Sequence, residues 1–386
     1  MLGTYGLIER RHPSTTPQGH RYLSMQSDGE RTAIAVFDLG GTWFRWGRYS
    51  TSRGLLHSER APAINYLSHP DLNAAELQRA LTDFVLHRTR EMQAAGQPGP
   101  RVASISVGAP VNANDRTVLG SGPLWGPTAG PFPLEETLNR EMPELQWHVV
   151  NDVTALLANY MDGSAPLRKT LLITVSSGIG SRLYDHRAGR IPYDGTYGVQ
   201  GEIGHLTLTF ELDGKVINRR CECGGWSHLN AFASGRGIAQ VLKSLPSLTA
   251  PFGTLFPESA ELWRQADDNY RLHAFKGRLE EGNGVAVALL DALVTPLSRT
   301  LAAALSLDPE IDRIVMTGGV AHGLGKHYRE ALQRTFVRDG LYQISEHDPL
   351  YLARRLFWED PDDFNGLRGA GLYAEKATHA LTGARN

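Results

Sequence analysis

Short apolar runs that end in glycine-rich turns recur along this chain, with helical patterns between them. Ala33-Ile-Ala-Val-Phe37 is partly β-branched and predicts a buried strand running into Asp38-Leu-Gly-Gly-Thr42. Trp43 to Tyr49 predicts a returning strand, so this turn closes a hairpin. Residues 71–95 place Leu77, Leu81, Phe84 and Met92 on roughly one helical face, with Asp71 at the start and Gly96 at the end. Gln97-Pro-Gly-Pro100 reads as a connector, and Val102 to Val107 as a strand ending in Gly108-Ala-Pro110. Residues 120–130 hold too much Gly and Pro for a regular element. Gln146 to Val150 predicts a strand that stops at Asn151-Asp152, with a helix from Val153 to Met161. Thr170 to Val175 is a strand ending in Ser176-Ser177-Gly178-Ile-Gly180. Residues 284–306 form a long apolar helix bent at Pro296, and Arg313 to Thr317 a strand ending in Gly318-Gly319.

Strand, glycine turn and helix in repetition define an α/β protein; the hairpin at the first turn makes its sheets mixed. Similar strand-turn-strand openings near residues 33 and 170 put a domain boundary at Asp152. The expected division is an extension over 1–32, one α/β domain over 33–152, a second over 153–375 with a loop at 201–235, and a tail over 376–386 that packs back on the first domain.

Composition changes this picture little. Hydrophobic residues are 41% and charged residues 21% of 386, and the formal net charge is −2, so neither nucleic acid nor a membrane surface is an expected partner. The first thirty residues lack an apolar h-region, and no run of about 18 apolar residues is evident, so a cytoplasmic protein without a membrane span is expected.

The two cysteines matter more. Cys221 and Cys223 are one residue apart, with His228 just after and His205 sixteen residues before. Two thiolates and two imidazoles within 24 residues are the ingredients of a tetrahedral zinc site, structural because no coordination position stays open. Two buried thiols beside unrelated histidines are the plainer reading. Asp38, Gly40, Gly41 and Thr42 after a strand read as a phosphate loop, with Asp38 able to hold Mg²⁺ through water, or as a tight turn with an incidental acid. Ser176, Ser177, Gly178 and Gly180 repeat that logic, and Gly318 and Gly319 form a third turn. None matches a P-loop or a dinucleotide fingerprint. Asp152 at a strand end is either a general base or a helix cap.

Taken in order, these residues resemble the ROK family of the actin–hexokinase fold. The markers are Asp38-x-Gly-Gly-Thr42-x-x-Arg45, Gly108-Ala-Pro110, Asn151-Asp152, Ser177-Gly-Ile-Gly180, Gly201-Glu-x-Gly-His205, the cysteine stretch, Ala233-Ser-Gly235, and Leu307-Asp-Pro-Glu-Ile with Thr317-Gly-Gly319. The resemblance implies a two-domain, ribonuclease H-like fold with mixed sheets and a cleft. It implies a kinase using ATP and Mg²⁺, with Asp152 as base, and Asn151, Glu202, His205 and Asn230 holding a sugar-like acceptor. His205 would serve both zinc and substrate, and a homodimer would be the assembly.

Three departures from the family pattern stand out. Ser227 and His228 replace a Gly and the third Cys, Asn230 replaces a sugar-binding Glu, and Leu124-Trp125-Gly126 lacks the usual preceding Asn. They point away from plain glucose toward an amino sugar or C7 cyclitol. The alternatives are a glucokinase-type hexose kinase and a non-catalytic sugar-sensing protein. A DNA-binding repressor would need an N-terminal winged helix, for which 32 residues are too few.

Overall fold

Ile34 and Val36 face one way along the first strand, and Ala35, Phe37 and Leu39 the other, and all five are buried. A strand covered on both faces must be central. In the computed structural model, which describes residues 33–95, 99–162, 166–248, 250–256 and 259–383, this strand is β1 (Ala33–Leu39). It pairs antiparallel with β2 (Trp43–Ser50) and parallel with β4 (Val102–Val107). With β3 (Gly54–Pro62) and β5 (Gln146–Asn151) they form a five-stranded sheet in the order β3-β2-β1-β4-β5.

The second sheet repeats the scheme. β6 (Lys169–Val175) pairs antiparallel with β7 (Ile179–Asp185) and parallel with β10 (Ile311–Thr317), which pairs with β11 (Leu356–Trp358), giving β11-β10-β6-β7. A two-residue hairpin, β8 (Glu211–Leu212) with β9 (Lys215–Val216), stands apart. Leu171, Ile173 and Val175 of β6 enter a large core with the helix Gly284–Leu307, whereas Leu172 faces Val153 and Leu157 of the helix Asp152–Ala158.

Two helices cross over. Asp152–Ala158 follows β5 of the first sheet yet covers the second. Asn365–Gly383 follows β11 of the second sheet yet packs Leu367, Ala370 and Ala374 on Ile34 and Val36 of the first. They also pack on each other. The return to the first sheet therefore begins at Asn365, earlier than the tail expected at 376.

Other expectations shift as well. The helix over Ala74–Ala95 is capped by Asn73, not Asp71. Asn73 and Glu76 form a reciprocal capping box, with Glu76 N donating to Asn73 Oδ1 at 3.1 Å and Asn73 N to Glu76 Oε2 at 2.8 Å. The extension 1–32, the Gly96 stop, Gln97, Pro98 and the last three residues lie outside the described residues. Ser121 caps a short helix, Gly122–Trp125, inside the stretch expected to be irregular. Pro296 sits within an uninterrupted helix. By length and composition that helix could cross a membrane, but Leu289, Leu290, Leu293 and Leu297 are buried in the protein's own core. Replacing Leu293 with Ala should lower stability by about 2–5 kcal/mol, read as a fall in the urea midpoint at unchanged fold by circular dichroism.

Candidate active site

Parallel strands gather their carboxyl ends on one edge of a sheet, and the turns beyond those ends form a natural crevice. Asp38 lies near the end of β1, paired with Ser106 on β4, and β4 ends beside Asn151 on β5. Ser106 Oγ donates to Asp38 Oδ1 at 2.9 Å, and Arg45 Nη1 donates to Asp38 Oδ2 at 3.4 Å. The start of the C-terminal helix closes over this carboxylate: a β-carbon at Gly366 would stand 2.7 Å from Asp38 Cγ. Burial raises the Asp38 pKa, and Arg45 and Ser106 pull it back.

Asn151 decides the neighbouring group. It is 7% exposed, and its Oδ1 accepts from Val153 N (2.9 Å) and Thr154 N (3.3 Å), so Asn151 caps the helix. Its Nδ2 donates to Ala109 O and Asp152 Oδ1, both at 2.8 Å. The amide is thus spent inside the protein, and the expected acceptor contact from Asn151 is replaced by orientation of Asp152. Asp152, relieved of capping, also takes Val153 N at 2.8 Å on Oδ1, and its Oδ2 lies on the side of Gly108. Loss of water pushes its pKa up to about 7, helped by the charges of Asp38 and Glu202 and opposed by the Val153 amide and Arg182.

Glu202 and His205 lie on the segment that follows β7. The segment before them docks on β7, where Ser181 N donates to Gly201 O at 2.9 Å. Gly201 has φ +78°, and a β-carbon there would meet Ser181 O at 1.9 Å, so only glycine permits this approach. Glu202 is held by Arg182 (Nη2 to Oε1, 3.6 Å), a residue not singled out by any sequence motif. A charged residue inside a strand pattern was the only signal it gave.

The ligand atoms of His205, Cys221, Cys223 and His228 all lie within 4.8 Å of one another. Ligands on a tetrahedral zinc stand about 3.3–3.8 Å apart, so modest contraction would seat a metal. Cys223 Sγ is 3.1 Å from His228 Nδ1. Asn230 was expected in the pocket. Its Oδ1 accepts from Ile179 N at 2.7 Å, tying the cysteine module to the second glycine turn.

The three turns lie at strand ends. Gly40, Gly41 and Thr42 join β1 to β2, with Gly40 N bonded to Trp43 O at 3.1 Å. Ser176, Ser177 and Gly178 join β6 to β7, which Gly180 then continues. Ser176 Oγ accepts from Gly319 N at 3.2 Å, and Ser176 O accepts from Gly235 N at 2.7 Å, so the turn before Gly319, with Gly318, is tied to the second loop.

Paired carboxylates, three polar turns and a duplicated mixed fold define a phosphotransferase-type cleft. The ROK family signature matches residues 34–377, and this chain belongs to the ROK family. It is 39% identical over 343 residues to the 2-epi-5-epi-valiolone 7-kinase of an Actinoplanes species, covering 88% of this chain and 92% of that protein. It is 30% identical over 347 residues to the C(7)-cyclitol 7-kinase of Streptomyces hygroscopicus subsp. limoneus, covering 88% and 93%. The crystal structure of the ROK hexokinase from Thermus thermophilus superposes with a TM-score of 0.63 at 22% identity, over 90% of this chain and all of that one.

A raised carboxyl has a thermodynamic signature. The folded protein holds the Asp152 proton up to about pH 7, whereas the unfolded chain releases it near 3.8. Folding therefore becomes less favourable as pH rises between those values. Asp152→Asn removes the ionisation. The variant should melt above the parent at pH 8, with the gap narrowing toward pH 4. Calorimetry at pH 4, 6 and 8 checks the sign; equal gaps at every pH would refute it.

Proposed function

We propose that this chain is an ATP-dependent kinase that phosphorylates the 7-hydroxyl of a C7 cyclitol, with Asp152 as general base. The observation that supports it most is Asp152 itself: one oxygen is fixed by Asn151 and Val153, and its pKa is near neutral. A base with a pKa near the working pH combines readiness with driving force. The two cyclitol kinases bring the acceptor class, being alike over nearly the whole chain. The glucokinase-type alternative has no comparable support.

In this reading the acceptor hydroxyl gives its proton to Asp152 Oδ2 as its oxygen bonds to the γ-phosphorus, and ADP departs. Glu202 and His205 hold the neighbouring hydroxyls. The backbone N–H groups of Gly41, Thr42, Ser177 and Gly178 in the first two turns would face the phosphates, and Gly318-Gly319 would border the nucleoside. The Asp38 carboxylate, which accepts one bond from Ser106 and one from Arg45, retains lone pairs for a hydrated Mg²⁺. Magnesium there would neutralise charge on the transferring group. Zinc on His205, Cys221, Cys223 and His228 would be structural and would fix the aim of the His205 ring. The reading divides the molecule into two lobes at Asp152 and includes a cytoplasmic homodimer with no nucleic-acid or membrane partner.

ADP release against a panel of C7 cyclitols, amino sugars and hexoses tests the activity. Turnover should be highest with a cyclitol, and kcat/KM should rise with pH through about 7 as Asp152 loses its proton. Asp152→Asn should lower kcat by roughly 10²–10⁴-fold while acceptor binding persists. Absence of turnover across the panel would remove the proposal. Separately, Cys221→Ser should abolish stoichiometric zinc in metal analysis and raise the acceptor KM. A metal-free parent with unchanged kinetics in the variant would remove the zinc assignment.

A further inference from the structure

A cation buried beneath the cleft has no role in the scheme above. Arg182 follows Gly180 by two residues on β7, so both point to the face covered by the helix Asp152–Ala158. It is only 2% exposed. Burying a guanidinium is costly, and an apolar side chain of similar volume generally serves stability as well or better. Its contacts suggest what it does instead. Nε donates to Thr154 Oγ1 at 3.1 Å, and Nη1 donates to Ser181 O at 2.8 Å and to Gln200 O. Nη2 faces Glu202 Oε1 at 3.6 Å.

These partners belong to two separate segments. Thr154 is two residues past Asp152 on the same helix, and Gln200 is two residues before Glu202. Gln200 is itself fastened to β7, because its Oε1 accepts from Leu183 N at 2.6 Å. A planar fork with five donors can join two segments at a fixed angle, which a point charge on a flexible stem cannot.

We propose that Arg182 is a positioning residue that locks the Glu202 segment to the helix of Asp152, so that the group holding the acceptor and the group taking its proton keep one spacing. Its kinetic consequence rests on the kinase reading, but the lock itself does not. Arg182 serves the acceptor side. The nucleotide turns are held by other contacts, those of Ser176 and Asn230.

Arg182→Met, Arg182→Lys and Glu202→Gln should be compared with the parent by steady-state kinetics and by hydrogen–deuterium exchange. Arg182→Met should raise the acceptor KM by about tenfold, one lost charge-assisted contact, with the ATP KM unchanged. Arg182→Lys should recover part of that loss. Combining Glu202→Gln with Arg182→Lys should cost less than the sum of the two, because they share one contact. Amides of residues 199–205 should exchange faster in both Arg182 variants. Equal rises in both KM values, full additivity, or unchanged exchange would overturn the proposal. If the parent phosphorylates nothing, the kinase reading fails, and exchange in Arg182→Lys alone decides the lock.

Discussion

Asp152 lies on a floor with little water beside Asp38, and the cost of charging it there sets the terms for everything around it. Burial raises the cost of charging Asp152, and the charge of Asp38 adds to it. The surrounding groups are arranged to bear that cost without abolishing it. Ser106 and Arg45 stabilise the Asp38 charge. Asn151 and the Val153 amide occupy one oxygen of Asp152, and Arg182 supplies a distant positive charge. The result is asymmetric: one acid is cradled by partners, and the other keeps a pKa near neutral. That asymmetry is what allows two carboxylates in one cleft to take different chemical parts.

The exchange of helices between the two sheets explains why the floor is stable. Asp152 begins at the strand edge of the first sheet, but its helix packs on Leu172 of the second. Gly366 closes over Asp38 in the first sheet, but its helix arrives from β11 of the second. Both acids therefore sit where the two halves grip each other. A relative movement of the halves would change the Asp38–Asp152 surroundings at once, so the last helix of the chain belongs to the site as much as the first strand does.

Much of this was legible in the residues. Buried strands show as apolar runs, and β1, β4, β5, β6 and β10 all end close to where the pattern changes. The cysteine and histidine spacing was legible because few other reasons gather those four side chains. What was hidden depends on which of two equally apt partners a polar group takes. Asn151 suits a sugar or a helix cap, and the cap won because two free N–H groups of the helix stand within reach. Asn230 suits a hydroxyl or a backbone amide, and its Oδ1 takes Ile179 N. Arg182 looked like an ordinary polar position in an alternating strand, since a short segment does not reveal that a helix will cover that face. β3 escaped because it is an edge strand with a mostly exposed pattern. The return of the C-terminal helix is a matter of topology, which local periodicity does not encode.

The cysteine module gains a second meaning from Asn230. Residues 201–205 approach the acceptor wall through Glu202 and His205, while Asn230, two residues past His228, holds the turn proposed for the phosphates through Ile179 N. One small module therefore touches both sides of the proposed site. A metal bound by its four ligands would draw together segments separated by the hairpin β8–β9, and would stiffen the two walls as a unit. Stiffness of this kind suits phosphoryl transfer, in which the protein contributes mainly alignment and charge. Arg182 acts on the same wall from beneath, through Gln200 and Glu202. With a metal bound, the Glu202 segment would be fastened from two sides, by the cysteine–histidine cluster and by a buried guanidinium. Alignment of Glu202 with Asp152 would then follow from that double fastening, more than from any one contact to the substrate.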